Sequence, residues 1–111
     1  MQVNGKELAV DEFGEGKALL CVHGLGGTSN FWRPVITAFA KTHRVIAPEL
    51  PCAGGSAIDP EMSVGSLAQD LLDLMDQLGL DRVHLVGHSM GTVICQHMAV
   101  AAPERISGMV L

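Results

Sequence analysis

The sequence predicts an α/β domain whose mostly parallel sheet is covered by helices on both faces. Short apolar runs that are typical of strands alternate with segments of helical hydrophobic spacing. This order implies parallel strands joined by crossover connections. Two glycine-rich motifs each follow one of the apolar runs. With 111 residues the chain has the length of one small domain, so we interpret residues 1–111 as a single domain.

The first elements are short and extended. Residues 3–13 form two pieces around Asn4-Gly5, a strong signal for a two-residue hairpin. Residues 18–22 are continuously apolar, as is typical of a strand buried on both faces. That run ends in residues 23–27, His-Gly-Leu-Gly-Gly, which are too rich in glycine for regular structure.

Helical spacing begins after residues 28–30, which can cap a helix. The apolar residues that carry the spacing are Phe31, Trp32, Val35, Ile36, Phe39 and Ala40. Because Pro34 falls inside this pattern, we expect an irregular first turn and a regular helix that starts near it. Trp32 is expected in the core, whereas Phe31 follows the glycine-rich loop closely enough to line a pocket.

A short strand is predicted at residues 44–47, followed by a loop at residues 48–60. The next helix is capped by Ser63 or Ser66, and Ser66 with Gln69 matches a capping box. Its buried face is predicted to hold Leu67, Leu71, Leu74 and Leu78, and a separate, solvent-exposed face Asp70, Asp73 and Asp76. Gly79 is expected to end this helix, because glycine is favoured just after a helix C terminus.

A serine stands between the next strand and helix. Residues 82–86 form the strand, residues 87–91 read Gly-His-Ser-Met-Gly, and residues 92–102 have a helical pattern that stops at Pro103. A serine at so sharp a turn is forced towards positive φ, and glycines on either side remove side chains that would collide. Its hydroxyl then lies at a helix N terminus, which favours negative charge. The pattern indicates a nucleophilic Ser89.

A serine nucleophile needs a base, a group that orients the base, and donors for the oxyanion. Two backbone donors can be named: the N–H of Met90, which follows the serine, and the N–H of Leu25 in the glycine-rich loop. Both glycine motifs follow predicted strands, and the carboxyl ends of parallel strands meet at one edge of a sheet. We therefore expect the two motifs to form one site.

These motifs resemble the N-terminal half of α/β-hydrolases. Residues 20–27 are similar to the family's oxyanion loop, and residues 86–91 to its nucleophile elbow. Residues 47–56 resemble a loop usually read Asp-Leu-Pro-Gly-His-Gly-x-Ser, from which Glu49, Cys52 and Ala53 depart. Residues 88–111 are most similar to 3-oxoadipate enol-lactonase-like esterases.

The resemblance implies an α/β-hydrolase fold with a defined set of site residues. Ser89 would be the catalytic nucleophile, and the backbone N–H groups of Leu25 and Met90 would form the oxyanion hole. The residues with a structural role at the site would be His23, Gly24, Gly87, His88 and Gly91, with His23 shaping the oxyanion loop.

The implied activity is a serine hydrolase of small carboxylic esters or lactones that works through an acyl-enzyme. A hydrolase of carbon–carbon bonds, a thioesterase or a cofactor-free haloperoxidase of the same fold are alternatives, as is a non-catalytic binding module. Serine at position 89 argues against dehalogenases and epoxide hydrolases, which carry an aspartate there in this superfamily.

The triad's acid and base are not recognisable. In this family they follow the serine in the order acid, then histidine, but here the downstream candidates come in the reverse order, as His97 and Glu104. His97 would lie about 12 Å along the helix from Ser89, too far to be its base. We therefore expect these 111 residues to be the N-terminal part of a longer hydrolase, incomplete in fold and inactive alone.

Composition excludes several other functions. A net charge of −5 gives no basic footprint for nucleic acid, and no apolar run approaches the ~18 residues that span a membrane. The chain has three widely spaced cysteines, Cys21, Cys52 and Cys95. Their odd number and spacing argue against a disulfide framework or a zinc site and fit the reducing cytoplasm. Cys21 and Cys95 are expected to be buried thiols. The histidines lack ligand spacing, so we predict no metal site and no cofactor, and a small-molecule ester or lactone as the partner.

Overall fold

The chain begins with the hairpin that Asn4-Gly5 predicts. Strand β1 (Gln2–Val3) pairs antiparallel with β2 (Lys6–Glu7). Asn4 and Gly5 have φ values of 52° and 77°, as a turn with two left-handed central residues requires. The computed structural model describes residues 1–24, 27–50 and 63–111.

In these described residues a second, five-stranded sheet forms the centre of the fold. Its strands are β3 (Val10–Phe13), β4 (Lys17–Val22), β5 (His43–Pro48), β6 (Val83–Gly87) and β7 (Ile106–Val110). They lie in the order β3-β5-β4-β6-β7. The last four strands along the chain run parallel to one another, whereas β3 pairs antiparallel with β5 at one edge. The predicted mostly parallel sheet is confirmed.

Helices cover both faces of this sheet, as predicted. Helices α2 (Val64–Gln77) and α3 (Met90–Ala101) pack on one face, where they bury Leu20 of β4. Helix α1 (Arg33–Phe39) and the turn before it pack on the other face, above Leu19 and Cys21. The continuous apolar run of β4 is therefore explained by burial on both sides. None of the helices in the described ranges combines the length and apolarity needed to cross a bilayer.

Helix α1 begins irregularly, as Pro34 predicts. A 3-10 turn (Ser29–Trp32) precedes the α-helix, and Pro34 lies in the helix's first turn. Thr28 occupies the N-cap position of the 3-10 turn, but its side chain makes no capping hydrogen bond. Trp32 is only 3% exposed, so its predicted place in the core is confirmed.

Helix α2 is capped by Ser63. The Ser63 hydroxyl accepts the N–H of Ser66 at 3.0 Å, and the Ser66 hydroxyl accepts the N–H of Ser63 at 2.9 Å. The predicted capping box of Ser66 with Gln69 is wrong, because Ser66 already lies inside the helix and Gln69 hydrogen-bonds to Asp73. Gly79 follows the helix with φ of 70°, which confirms its predicted role.

Asp70 corrects the prediction of a solvent-exposed acidic face on α2. Its side chain is 2% exposed, and its carboxylate accepts hydrogen bonds from Lys6 Nζ at 2.7 Å and Asn4 Nδ2 at 2.8 Å. The N-terminal hairpin lies over this part of α2, which the spacing of residues along the helix could not indicate. Asp76 is exposed as predicted.

Candidate active site

Ser89 lies at the sharp turn between β6 and α3. Its φ is 56° and its ψ is −125°, so the predicted positive φ is confirmed. The side chain is exposed and does not cap α3. Instead, the Ser89 carbonyl accepts the hydroxyl of Thr92 at 2.7 Å, which fixes the turn from within the helix. The turn therefore presents an exposed hydroxyl at the N terminus of a helix.

The glycines on either side of Ser89 are required by close backbone contacts. A Cβ on Gly91 would lie 2.0 Å from the carbonyl oxygen of Val22. A Cβ on Gly87 would lie 2.9 Å from the carbonyl oxygen of Gly91 and 3.0 Å from Sγ of Cys95. Side chains at either position would push α3 away from the sheet, so the height of Ser89 above the strand ends depends on both glycines.

The loop after β4 meets the elbow at Gly24. A Cβ on Gly24 would lie 2.7 Å from Cβ of Ser89 and 3.1 Å from its Oγ. Beside it, the N–H of His88 donates to the carbonyl of Val22 at 3.2 Å. Gly24 of the first glycine motif is thus brought against the elbow at the carboxyl edge of the sheet, where the sequence predicts that the two motifs meet.

His23 holds this loop in place from inside the fold. Its ring is buried, with Nε2 3.0 Å from the backbone N of Leu50 and Nδ1 2.7 Å from the carbonyl oxygen of Gly24. Because Nε2 accepts the Leu50 N–H, we assign the ring proton to Nδ1, which donates to Gly24. Both ring nitrogens are therefore engaged, and His23 cannot act as the base for Ser89.

The other histidines do not supply a base either. The ring of His88 stacks on Phe31, with centroids 4.5 Å apart and an angle of 31° between the planes. His97 is exposed along α3, while His43 and His84 lie towards the amino ends of β5 and β6. Within residues 1–24, 27–50 and 63–111, no side chain hydrogen-bonds to the Ser89 hydroxyl.

One of the two predicted oxyanion donors can be placed. Met90 is the first residue of α3, so its N–H has no acceptor within the helix and lies at the positive end of the helix dipole. Leu25 lies outside the described residues, so its role as the second oxyanion donor stays a prediction. The loop that contains Cys52 also lies outside the described residues, and its likeness to the family's loop stays a prediction.

The described cysteines are inert by burial. Loss of solvent raises the pKa of the Cys21 thiol to about 12, with a smaller contribution from the nearby Cys95, and burial likewise raises the pKa of Cys95 to about 12. Both were predicted as buried thiols, which is confirmed. Nowhere in the part of the chain that the structure describes do three or more His, Cys, Asp or Glu side chains cluster as metal ligands would.

One contact at the site was not predicted. Phe31 was expected near a pocket, but nothing in the sequence indicated that its ring would contact His88. Phe31 belongs to the turn before α1 and His88 to the elbow, and they come together where Gly24 meets the elbow.

Other proteins are similar to this one over most of the chain. A protein of Azorhizobium caulinodans, provisionally named the carbamate hydrolase RutD, is 34% identical over 106 residues, which cover 95% of this chain and 40% of that protein. An epoxide hydrolase from Vigna radiata superposes with a TM-score of 0.92 at 32% identity, covering 98% of this chain and 37% of the other.

A third relative acts on lactones. The structure of Est816, described as an N-acyl homoserine lactone degrading enzyme, matches with a TM-score of 0.90 at 27% identity and covers 97% of this chain. This chain covers 42% of Est816, so it spans about 40% of the length of the proteins to which it is similar.

The family match follows the same elements as the geometry. A family model described as the alpha/beta hydrolase fold matches residues 17–111, from the start of β4 through the loop, the elbow and β7. The mostly parallel sheet and the strained serine between β6 and α3 agree with that match. The chain belongs to the α/β-hydrolase family.

Proposed function

We propose that Ser89 is the nucleophile of a hydrolase that cleaves small carboxylic esters or lactones through an acyl-enzyme. The observation that carries the proposal is the backbone of Ser89, whose φ of 56° is unfavourable for a residue with a side chain. The neighbouring glycines maintain this conformation, and the strain leaves the hydroxyl exposed beside Gly24. Such an arrangement serves a nucleophile and has no evident use in packing.

The reaction would proceed in two halves. Ser89 Oγ attacks the carbonyl carbon and gives its proton to a base, while the N–H groups of Met90 and Leu25 stabilise the oxyanion. The tetrahedral intermediate collapses, the bond to the leaving oxygen breaks, and that oxygen takes the proton from the base. Water then adds to the acyl-enzyme with the same base, which releases a carboxylic acid and restores Ser89.

The acid and base of the triad belong to the part of the proposal that rests on the family. None of the described histidines is placed to serve Ser89, and family members carry acid and histidine after the serine. We assign both to residues outside these 111, which would make residues 1–111 the N-terminal part of the hydrolase domain. On their own these residues would hydrolyse activated esters weakly or not at all.

The choice of substrate follows from the nucleophile. A serine attacks a carbonyl carbon, and the lactone-degrading Est816 is one relative that acts on such a group. A carbamate is a second candidate, because the similar protein from A. caulinodans is named for that substrate and the chemistry is the same. Epoxides are less suitable, because epoxide hydrolases of this superfamily are expected to carry an aspartate at the position of Ser89.

The rival proposal is a non-catalytic module that binds a small molecule in the same place. The test uses the protein as its natural host makes it, with the variant Ser89→Ala and the control Ser107→Ala, an exposed serine of β7. Ester, lactone and carbamate substrates are assayed, and the acyl group is located by mass spectrometry. Turnover and acylation that are lost only in Ser89→Ala support the enzyme, whereas turnover that is absent or equal in both variants contradicts it.

The expected location is the cytoplasm. Cys21 and Cys95 are unpaired, buried thiols, which fits a reducing compartment. Fractionation of the natural host tests this, and recovery of the protein from the medium would contradict it.

A further inference from the structure

Phe31 and His88 form a stacked pair of rings beside the nucleophile. Their centroids are 4.5 Å apart and their planes differ by 31°. His88 directly precedes Ser89, and Phe31 lies in the 3-10 turn that follows the loop of Gly24. Each ring therefore comes from one half of the proposed site, and the pair spans the boundary between them.

The ring of Phe31 contacts two other rings and is still half exposed. The ring of Trp32 meets it edge to face, with centroids 5.1 Å apart and an interplanar angle of 85°, and Trp32 is buried in the core. Phe31 itself remains 49% exposed although its ring contacts both Trp32 and His88. Its open surface is apolar and aromatic, and covering it would be favourable.

The backbone fixes this pair relative to Ser89. The His88 N–H donates to the carbonyl of Val22, which ties the elbow to the end of β4. A Cβ on Gly24 would lie 3.2 Å from the His88 carbonyl oxygen, so Gly24 also contacts the elbow at the residue that carries one of the rings. The stacked rings therefore belong to a residue next to Ser89 in the chain and to the turn that follows Gly24.

We propose that the Phe31–His88 pair selects substrates that carry a flat aromatic group next to the scissile carbonyl. The inference rests on the acyl-enzyme proposed at Ser89 and names the substrate class of that site. An aromatic group can lie on the exposed side of Phe31 in the offset or edge-to-face geometry that aromatic pairs prefer. A methyl group in its place would leave this surface exposed to water. Phe31 is therefore a specificity-determining residue.

Phe39 provides a matched control. It is also a partly exposed phenylalanine, and its ring also contacts a histidine, His43, at a centroid distance of 5.6 Å. Phe39 ends α1, however, and its partner begins β5 at the amino end of the sheet, away from Ser89. Replacing Phe39 removes a similar surface aromatic without touching the proposed site.

The test measures ratios of kcat/KM in the protein as it occurs naturally. One ratio compares the phenylacetyl with the acetyl ester of the same alcohol, and a second compares the benzyl with the methyl ester of the same acid. Phe31→Ala is expected to lower at least one ratio roughly tenfold, as loss of an apolar and aromatic contact does. Phe31→Tyr and Phe39→Ala should keep both ratios. Unchanged ratios in Phe31→Ala, or equal losses for all substrates, would overturn the proposal.

A binding measurement separates this inference from the proposed function. If the natural protein hydrolyses none of these esters, the proposed function fails, and binding of phenylacetate and acetate by calorimetry then decides the role of Phe31. The role of Phe31 is supported if Phe31→Ala binds phenylacetate roughly tenfold more weakly than the unaltered protein does. Phe39→Ala should bind phenylacetate as the unaltered protein does. Equal affinity for all three proteins would reject it.

Discussion

The backbone N–H of Leu50 donates to Nε2 of the buried His23 ring at 3.0 Å, and this bond joins the segments that follow two neighbouring parallel strands. The other ring nitrogen donates to Gly24, which contacts Ser89. His23 is thus the link through which the end of β5 positions Gly24 beside Ser89, the proposed nucleophile. These hydrogen bonds give His23 a structural role, whereas its closeness to Ser89 alone would indicate a base.

Replacement of His23 by alanine is expected to lower both stability and activity. It would leave the Leu50 N–H without an acceptor inside the fold, at a cost of about 1–3 kcal/mol in the free energy of unfolding. Chemical denaturation measures this loss. His97→Ala is the control, because that side chain is exposed on α3 and its loss should change the free energy of unfolding by less than about 0.5 kcal/mol. Equal stability of the two variants would contradict the structural role.

Gly91→Ala is expected to destabilise the protein and to displace Ser89. The new Cβ would lie 2.0 Å from the Val22 carbonyl oxygen, a backbone atom that cannot rotate away. Overpacking of this kind costs about 1–3 kcal/mol, and occasionally more. Ester hydrolysis should also fall, even under conditions where the variant is still folded, because α3 carries the proposed oxyanion donor. Denaturation and ester hydrolysis measure the two effects.

Gly65→Ala is the matched control for that substitution. Gly65 also lies near the start of a helix, but the nearest atom that a Cβ would meet is 3.9 Å away. Alanine is favoured over glycine in helices, so this variant should be as stable as the parent or more stable by up to about 1 kcal/mol. A destabilised Gly65→Ala with an unaffected Gly91→Ala would contradict the packing described for the elbow.

Asp70→Asn tests the contact between the N-terminal hairpin and α2. Its buried carboxylate accepts from Lys6 and Asn4, and a neutral amide would weaken both bonds at a cost of about 1–3 kcal/mol. Asp76→Asn removes an exposed partner of Arg105, since Asp76 is 63% exposed, and should cost about 0–1 kcal/mol. Thermal denaturation at low and high salt distinguishes the two variants, because salt screens only the exposed pair of Asp76 and Arg105. A larger loss for Asp76→Asn would refute the burial of Asp70.

The local part of this fold could be predicted from the sequence, and the part that depends on packing between distant segments could not. The positive φ of Ser89 and the irregular start of α1 at Pro34 follow from the sterics of single residues. The burial of Asp70 depends on where a hairpin from the other end of the chain lies, which helical spacing cannot indicate. The Phe31–His88 contact likewise requires two loops to meet.

The two described thiols should make stability depend on alkaline pH. Burial raises the pKa of Cys21 and Cys95 from 9.0 to about 12, so the folded state disfavours the thiolate. Below pH 9.0 both thiols are protonated in the folded and the unfolded chain, and their full contribution to the free energy of unfolding is present. As the pH rises from 9.0 towards 12, the unfolded chain loses its thiol protons first, so the free energy of unfolding should fall. Denaturation across this range checks the sign. Cys95→Ala should make the free energy of unfolding depend less steeply on pH in this range. An unchanged pH dependence in this variant would contradict the burial of Cys95 as its cause.

The exposed edge of β7 is expected to make residues 1–111 self-associate when they are produced alone. In the described part of the chain β7 pairs with β6 on one side and with no strand on the other. Val110 is 68% exposed there, beside the exposed Met109 and Leu111. Unpaired strand edges with apolar side chains template pairing between chains, and a lysine on the edge prevents it. Val110→Lys should therefore reduce light scattering at a given concentration.

A matched control separates the strand edge from general apolar exposure. Val100 is 84% exposed on α3, where a helix offers no unpaired backbone groups along its side. If the strand edge drives association, Val110→Lys should restore a monomer in sedimentation experiments and Val100→Lys should have a much smaller effect. Equal rescue by the two lysines would show that apolar surface as such, and not the edge of β7, is responsible.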